Sequence, residues 1–408
     1  MQRELTCRER SEKGLSIRTV RKMSCGFASN DGFNLRDIAD TCERSKNLRN
    51  LAPPSEWTPE RPSSLPKLSQ VCDEELQSLT APELMETVRS DVKQALSSPK
   101  IRNLRETTIL SRHSIAVVNS SGLNVDQQLT SIDTFIQVTA GSGSKHASLN
   151  DTISNVQLKG HSVVPRIIRT AERAAKLANA TKIRKLLKLP VVISPNAFAK
   201  IVGSSLALAL CIDNFDESFL GRFFRKQIAS KSLSICDDGT LSGGRFSSMF
   251  DAEGIPRRRT VLIRNGLLCG RLSNVTEASI RRMHSTGNGN RGRDWDHRLT
   301  PYVGHTNLVV EPDHGRLDDF VRETNRGVLL EDLNVTPSWS DPQLSGSIIE
   351  AYTIKSGEIS ACIRHGAFVI DLIELLNGVT NVGKEVTRVF DTSCPPILVS
   401  KGITIFPA

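Results

Sequence analysis

The stretch from Ser247 to Arg293 holds the densest run of residue types that could do chemistry. It carries Phe250-Asp-Ala-Glu-Gly254, then Pro256, then the run Arg259–Gly270 around Asn265-Gly266, and then Ser285-Thr-Gly-Asn-Gly-Asn-Arg291. Asp251 and Glu253 could pair as general acid and base. Beside Gly254, however, they suit the capping of backbone amides. Gly287, Asn288, Gly289 and Arg291 offer backbone N–H groups and a guanidinium that could cradle a phosphate or a peptide carboxylate. The loop lacks the Lys-Ser/Thr ending of a nucleotide P-loop, and a tight structural loop fits the same residues. His297, His305 and His314, with Asp294 and Asp296 nearby, are the candidate metal ligands. No two of these histidines have the close spacing of ligands that share a helix. There is no G-x-S-x-G elbow, and no cysteine sits in a nucleophile context. The residues alone give no complete catalytic constellation.

The elements that must position these residues fall into two regions. Leu15–Val20 alternates as a half-buried strand, and Gly26-Phe-Ala-Ser-Asn30 leads to a turn. Asn34 is the expected N-cap of a helix through Asn47, with Leu35, Ile38, Ala39 and Cys42 on its apolar face. Five prolines between Leu51 and Ser69 exclude regular structure there and mark an extended excursion. A helix is expected over Pro82–Ser97, then strands over Thr107–Asn119 and Thr130–Thr139 joined through Ser120-Ser-Gly122. A basic helix starting at Pro165 closes this half. Pro190–Ile193 reads as a buried strand, and Ser194-Pro195 as the cap and first turn of a helix through Cys211. Beyond it the pattern is mostly β, with hairpins at Asn265-Gly266 and Ser356-Gly357. The expected fold class is α+β. An amino-terminal antiparallel sheet with helices (residues 1–188, with the proline-rich excursion at 51–69) precedes a mostly β carboxy-terminal domain (residues 189–408).

Composition narrows the setting. The 408 residues carry a formal charge of +9, 38% apolar and only 5% aromatic residues, so aliphatic side chains must build the cores. Between Pro165 and Lys188, eight Lys or Arg residues face one acid, Glu172. Such a run is a solvated helix face or an anion-binding one. The start of the chain is polar and lacks the apolar region of a secretory signal. The longest apolar run, Ile201–Ile212, falls short of the roughly 20 residues that span a bilayer, which argues against a membrane protein. Nine cysteines without framework spacing read as free thiols in a reducing compartment. The expectation is a cytoplasmic protein.

The order FDAEG, IP, RTVLIRNG and STGNGNR resembles the core signature of the TldD/PmbA family, whose members are named as modulators of DNA gyrase. GLSIRTVRKMSCGFAS resembles the family's early strand pair ending in a Gly-Phe-Ala-Ser turn, and LPVVISPNAFAKIVG the junction that opens its second domain. EAYTIKSGEIS, LNGVTNVGKEV and SCPPILVSKGITI resemble its late strands, so the likeness runs from about position 10 to position 405. In catalytic members that junction helix carries H-E-x-x-x-H, and a downstream Cys completes a zinc site whose open position holds water while the Glu acts as base. Laid on this chain, the first His falls at Gly203, the Glu at Ser204 and the second His at Leu208. The expected late Cys is missing from LNGVTNVGKEVTRVF, and Cys394 falls after it.

The resemblance therefore implies the partner type that lacks a zinc motif, with no catalytic residue and no cofactor of its own. It would join a zinc-bearing TldD-type subunit in a heteromeric peptidase acting on peptides or unfolded segments. Asp251, Glu253, Gly254, Gly287, Asn288, Gly289 and Arg291 are then substrate or interface candidates. Two alternatives belong to other classes. One is an autonomous metal-dependent peptidase with a non-standard site among His297, His305 and His314. The other is a nucleic-acid or gyrase-associated binder drawing on the positive charge.

Overall fold

The computed structural model describes residues 6–21, 24–48, 64–292 and 294–407. The fold is α+β: an amino-terminal antiparallel sheet with helices, then a mostly β carboxy-terminal region. Leu15–Arg21 pairs antiparallel with Ser24–Asn30, so Gly26–Asn30 is itself a strand and not the expected approach to a turn. The helix Leu35–Leu48 is capped as expected: Asn34 Oδ1 accepts from the Asp37 amide at 2.9 Å, and Asp37 Oδ2 from the Asn34 amide at 3.1 Å.

That helix packs by a stripe about a quarter turn round its axis from the one its apolar spacing predicts. Thr41 and Ser45 are buried, while Leu35 is 85% and Ile38 41% exposed. Hydrogen bonds decide the orientation. Ser45 Oγ donates to the Gly26 carbonyl at 2.9 Å and accepts from the Thr19 amide at 3.1 Å, fixing the helix to both strands. Part of the proline-rich excursion, residues 51–63, lies outside the described residues.

Ile101–Val118 and Asn124–Ser142 form a long antiparallel pair, extended beyond the expected strands with one register shift, between Ile101 and Asn103. Lys145–Asn155 adds a third strand that the sequence reading did not include. The helix Ala81–Ala95 carries a capping box between Thr80 and Glu83. Helix Val163–Leu177 buries Val163, Ile167, Thr170, Ala171, Ala174 and Leu177 against the long sheet. The basic run does not stay helical. It leaves the helix after Leu177, and Thr181–Lys182 pairs with Ile363–Arg364, so its cations divide between two elements.

The remainder builds a nine-stranded mixed sheet and a six-stranded sheet that share one aliphatic core. Val191–Ile193, fully buried, lies between Ile397–Val399 and Arg326–Val335. Ser194 then caps the next helix through the Ala197 amide, as expected. Instead of one helix through Cys211, the chain runs α over Pro195–Ile201, π over Val202–Leu206 and α again over Ala207–Ala209. Both two-residue hairpin turns form with positive φ: 47° and 77° at Asn265-Gly266, 52° and 78° at Ser356-Gly357.

The rotated helix orientation has a measurable consequence. Leu35→Gln should change the unfolding free energy by less than about 0.5 kcal/mol, as an exposed substitution does. Ser45→Ala should cost about 1–3 kcal/mol, because Thr19 N–H and Gly26 C=O lose their partner. Chemical denaturation of both variants checks the order; the opposite order would restore the apolar face as the packed one.

Candidate functional site

Asp251 and Glu253 are buried and spend their oxygens on the backbone. Asp251 Oδ1 accepts from the amides of Glu253 at 2.8 Å and Ile255 at 3.0 Å, and its Oδ2 from Gly289 at 2.8 Å. Glu253 Oε2 accepts from the Val275 amide at 2.6 Å, while Oε1 takes the Arg18 guanidinium at 2.6 Å. Phe250–Gly254 is a tight turn with Gly254 at φ 82°, and it folds both acids toward Gly289. A Cβ at Gly289 would lie 2.9 Å from Glu253 and 3.0 Å from Asp251, so only glycine fits between them. Burial, then the neighbouring Glu253 charge, push the Asp251 carboxyl up to about 6.

The Ser285–Arg291 loop is equally internal. Ser273 and Thr286 exchange amide-to-hydroxyl bonds of 2.7 and 3.0 Å. Asn288 Nδ2 donates to Asp237 at 2.7 Å and to the Gly304 carbonyl at 3.0 Å. Arg257, wholly buried, donates to Ser248 Oγ, the Gly287 carbonyl and Asn290 Oδ1, at 3.2, 2.6 and 2.5 Å. Arg291 is no free arm: Nη1 donates to Ser16 Oγ, and the guanidinium lies 5.5 Å over the Phe27 ring. The loop thus grips the amino-terminal hairpin. Arg18, Asp237 and Arg257 were missed in the sequence, since their partners lie tens to hundreds of positions away and leave no local spacing.

The candidate metal ligands are not brought together. His297 Nε2 meets Asp31 at 2.8 Å, His305 Nε2 meets Asp391 at 3.2 Å, and His314 lies exposed beside Asp313. Asp296 stays beside His297 and Arg298, and Asp294 is exposed. Among the described residues, no three His, Cys, Asp or Glu side chains cluster as metal ligands.

The π turn holds the other set of candidates. Ala207 N–H bonds to the Val202 carbonyl across five residues. In an α-helix, positions five apart sit about 140° around the axis from one another; a π turn brings them toward one face. Gly203 and Leu208 are such a pair. A Cβ on Gly203 would point at Thr392 Oγ1, 3.5 Å away, and Leu208 is partly exposed. Ser204 Oγ donates back to the Ile201 carbonyl at 3.3 Å.

Residues 187–405 match the family model for the PmbA/TldA metallopeptidase C-terminal domain, more than half of the chain. The chain belongs to the PmbA/TldD family. An uncharacterized protein of Methanocaldococcus jannaschii is 29% identical over 277 residues, 66% of this chain and 63% of the relative. A metalloprotease TldD homolog of Buchnera aphidicola subsp. Schizaphis graminum is 30% identical over 171 residues, 41% of this chain and 34% of the relative. The matches thus span less than two thirds of either relative's length. The crystal structure of TldE from Thermococcus kodakarensis shares the fold, with TM-score 0.81 and 23% identity over 95% of this chain and 88% of that one.

The zinc that the family's metalloprotease names imply does not fit the residues at the π turn. Gly203 has no side chain, Ser204 is bonded to its own helix, and Leu208 is apolar. Cys394, the thiol past the stretch where the family's late Cys is expected, is fully buried, donates to the Pro195 carbonyl at 3.0 Å, and is pushed by burial up to about 12, so it keeps its proton. No hydrolytic step can be routed through a metal held by these three positions.

Asp251 gives a test in which pH carries a sign. Unfolded, the carboxyl ionises near 3.8; folded, it keeps its proton to about 6. Its contribution therefore favours the fold most below the unfolded value and is lost as pH rises toward 6. Asp251→Asn replaces one accepting oxygen with a donor facing an amide, and should cost about 1–3 kcal/mol. The wild-type advantage over this variant should shrink between pH 4 and pH 6 in denaturant titrations; an advantage constant with pH would contradict the raised value.

Proposed function

We propose that this chain is the non-catalytic subunit of a cytoplasmic, heteromeric zinc metallopeptidase, and that a TldD-type subunit supplies the zinc. The observation that carries the reading is the π turn. It keeps the backbone geometry that sets two side chains five apart on one face, yet it presents Gly203 and Leu208, with Ser204 where a base would stand. Family membership supplies the context. The printed names of relatives, metalloprotease TldD homolog among them, support a peptidase setting. Among the described residues no helix is long and apolar enough to cross a membrane.

In this reading the chain works by shape and binding. Its residues 1–188 and 189–408 act as two domains, and its sheet edges hold a peptide in extended form beside the partner's metal. Asp251, Glu253, Gly254, Gly287, Asn288 and Gly289 support the joint site as scaffold, and Arg291 by fixing the hairpin Leu15–Asn30 over the loop.

Peptide cleavage measured with each subunit alone and with the mixture tests the proposal. Cleavage should appear only in the mixture, and metal analysis should find no stoichiometric zinc on this chain. One tightly bound zinc per chain, or cleavage by this chain alone, would sink the proposal.

A further inference from the structure

Between the long amino-terminal sheet and the Ser285–Arg291 loop lies a cleft of about 230 Å³. His113, on strand Ile101–Val118, lines one wall with Leu129; Arg257 and Arg291 line the other; Trp295 and Tyr302 stand among the lining residues. Two buried polar atoms of the lining residues have no protein partner: His113 Nε2 and Arg291 Nε. Leaving buried polar groups unpaired costs roughly 1–3 kcal/mol each, so two of them facing one cavity call for a polar occupant.

The charges choose its sign. Arg245 is held by both oxygens of Asp133, at 2.8 to 3.1 Å, and His305 by Asp391, so each of these lining cations carries its own counter-charge. Arg257 bonds only to neutral groups, with Asp251 and Asp237 offsetting its burial from beyond ion-pair distance, and no carboxylate contacts Arg291 within ion-pair distance among the described residues. Burial, then repulsion from Arg18, lower Arg291 to about 10, as expected of a guanidinium short of compensation; Glu253 and Asp296 offset this only from a distance. Two under-compensated cations therefore back the two open donors, and the cavity is sized for a small group and not for an extended chain.

We propose that this cleft binds a small oxyanion, a carboxylate or a phosphate, through Arg291 Nε–H and His113 Nε2–H, over the buried Arg257 guanidinium. A charge-assisted bond from Arg291 would complete its fork while Nη1 keeps Ser16. Leu129, Trp295 and Tyr302 would flank an apolar substituent carried by a carboxylate. The site lies within this chain alone and stands apart from the peptidase reading, since neither a partner subunit nor zinc enters it.

Calorimetric titration of the full chain with inorganic phosphate, with N-acetyl-leucine and with its uncharged amide tests the proposal. Saturable binding of at least one anion is expected, with none for the amide. Phosphate alone would mark the occupant as a free oxyanion; N-acetyl-leucine would mark it as a terminal carboxylate. His113→Leu should weaken binding about tenfold or more, the loss of one charged hydrogen bond, with thermal unfolding unchanged. Should that variant fold poorly, Arg291→Lys keeps the charge but has a single nitrogen, which cannot hold Ser16 and stand at the Nε position together, and should show the same loss. No saturable binding of either anion, equal binding of the amide, or affinity unchanged in the folded variants would each overturn the proposal.

Discussion

The structure around the sequence's most informative segment depends on one constraint: two buried carboxylates must find donors. Asp251 and Glu253 cannot be ionised in a dry interior unless hydrogen bonds replace their water. They take the amides of Glu253, Ile255, Gly289 and Val275 and the Arg18 guanidinium. The donors come from four parts of the chain, so satisfying the acids fixes the Phe250–Gly254 turn, the glycine loop, the start of helix Val275–Ile280 and the amino-terminal hairpin relative to one another. Gly289 follows from the same demand, because a side chain there would crowd both carboxylates, and its amide donates to Asp251.

This constraint also bears on function. An acid that is fully engaged by backbone amides is poorly placed to shuttle protons to a substrate, and the motif that looks most catalytic in the sequence is spent on holding loops. The histidines are dispersed in the same way, each beside its own aspartate. What remains at the π turn is a backbone shape without ligating side chains. A π turn is a costly departure from α geometry that clusters at functional sites. Under the proposed function, this turn is a shape without its chemistry, which the partner subunit would supply.

Much of the fold was legible in the sequence, because local rules set it. The caps at Asn34, Thr80 and Ser194 are short-range hydrogen bonds, and the turns at Asn265-Gly266 and Ser356-Gly357 follow from positive φ. The strand Lys145–Asn155 escaped because its buried residues, Ala147 and Leu149, are few among polar neighbours. Helix Leu35–Leu48 was turned the wrong way because apolar spacing predicts a buried stripe only where hydrophobic packing decides, and here Ser45 and Thr41 decide. At the site, the glycines and acids could be singled out from spacing. Arg18 and Glu253, 235 positions apart, could not be paired from any local pattern. The π turn left no mark beyond Gly203-Ser-Ser205 interrupting an apolar run.

Native-state amide hydrogen exchange tests the central claim most directly, that Asp251 and Glu253 are a structural anchor. The amides of Ile255, Val275 and Gly289 donate to these two side chains, and the account predicts that they exchange only through global unfolding. Their opening free energies should match those of core amides such as Leu262 and Ile263. Exchange of Val275 and Gly289 by local opening, orders of magnitude faster than the core, would show the carboxylates free to release their amides and would contradict the account.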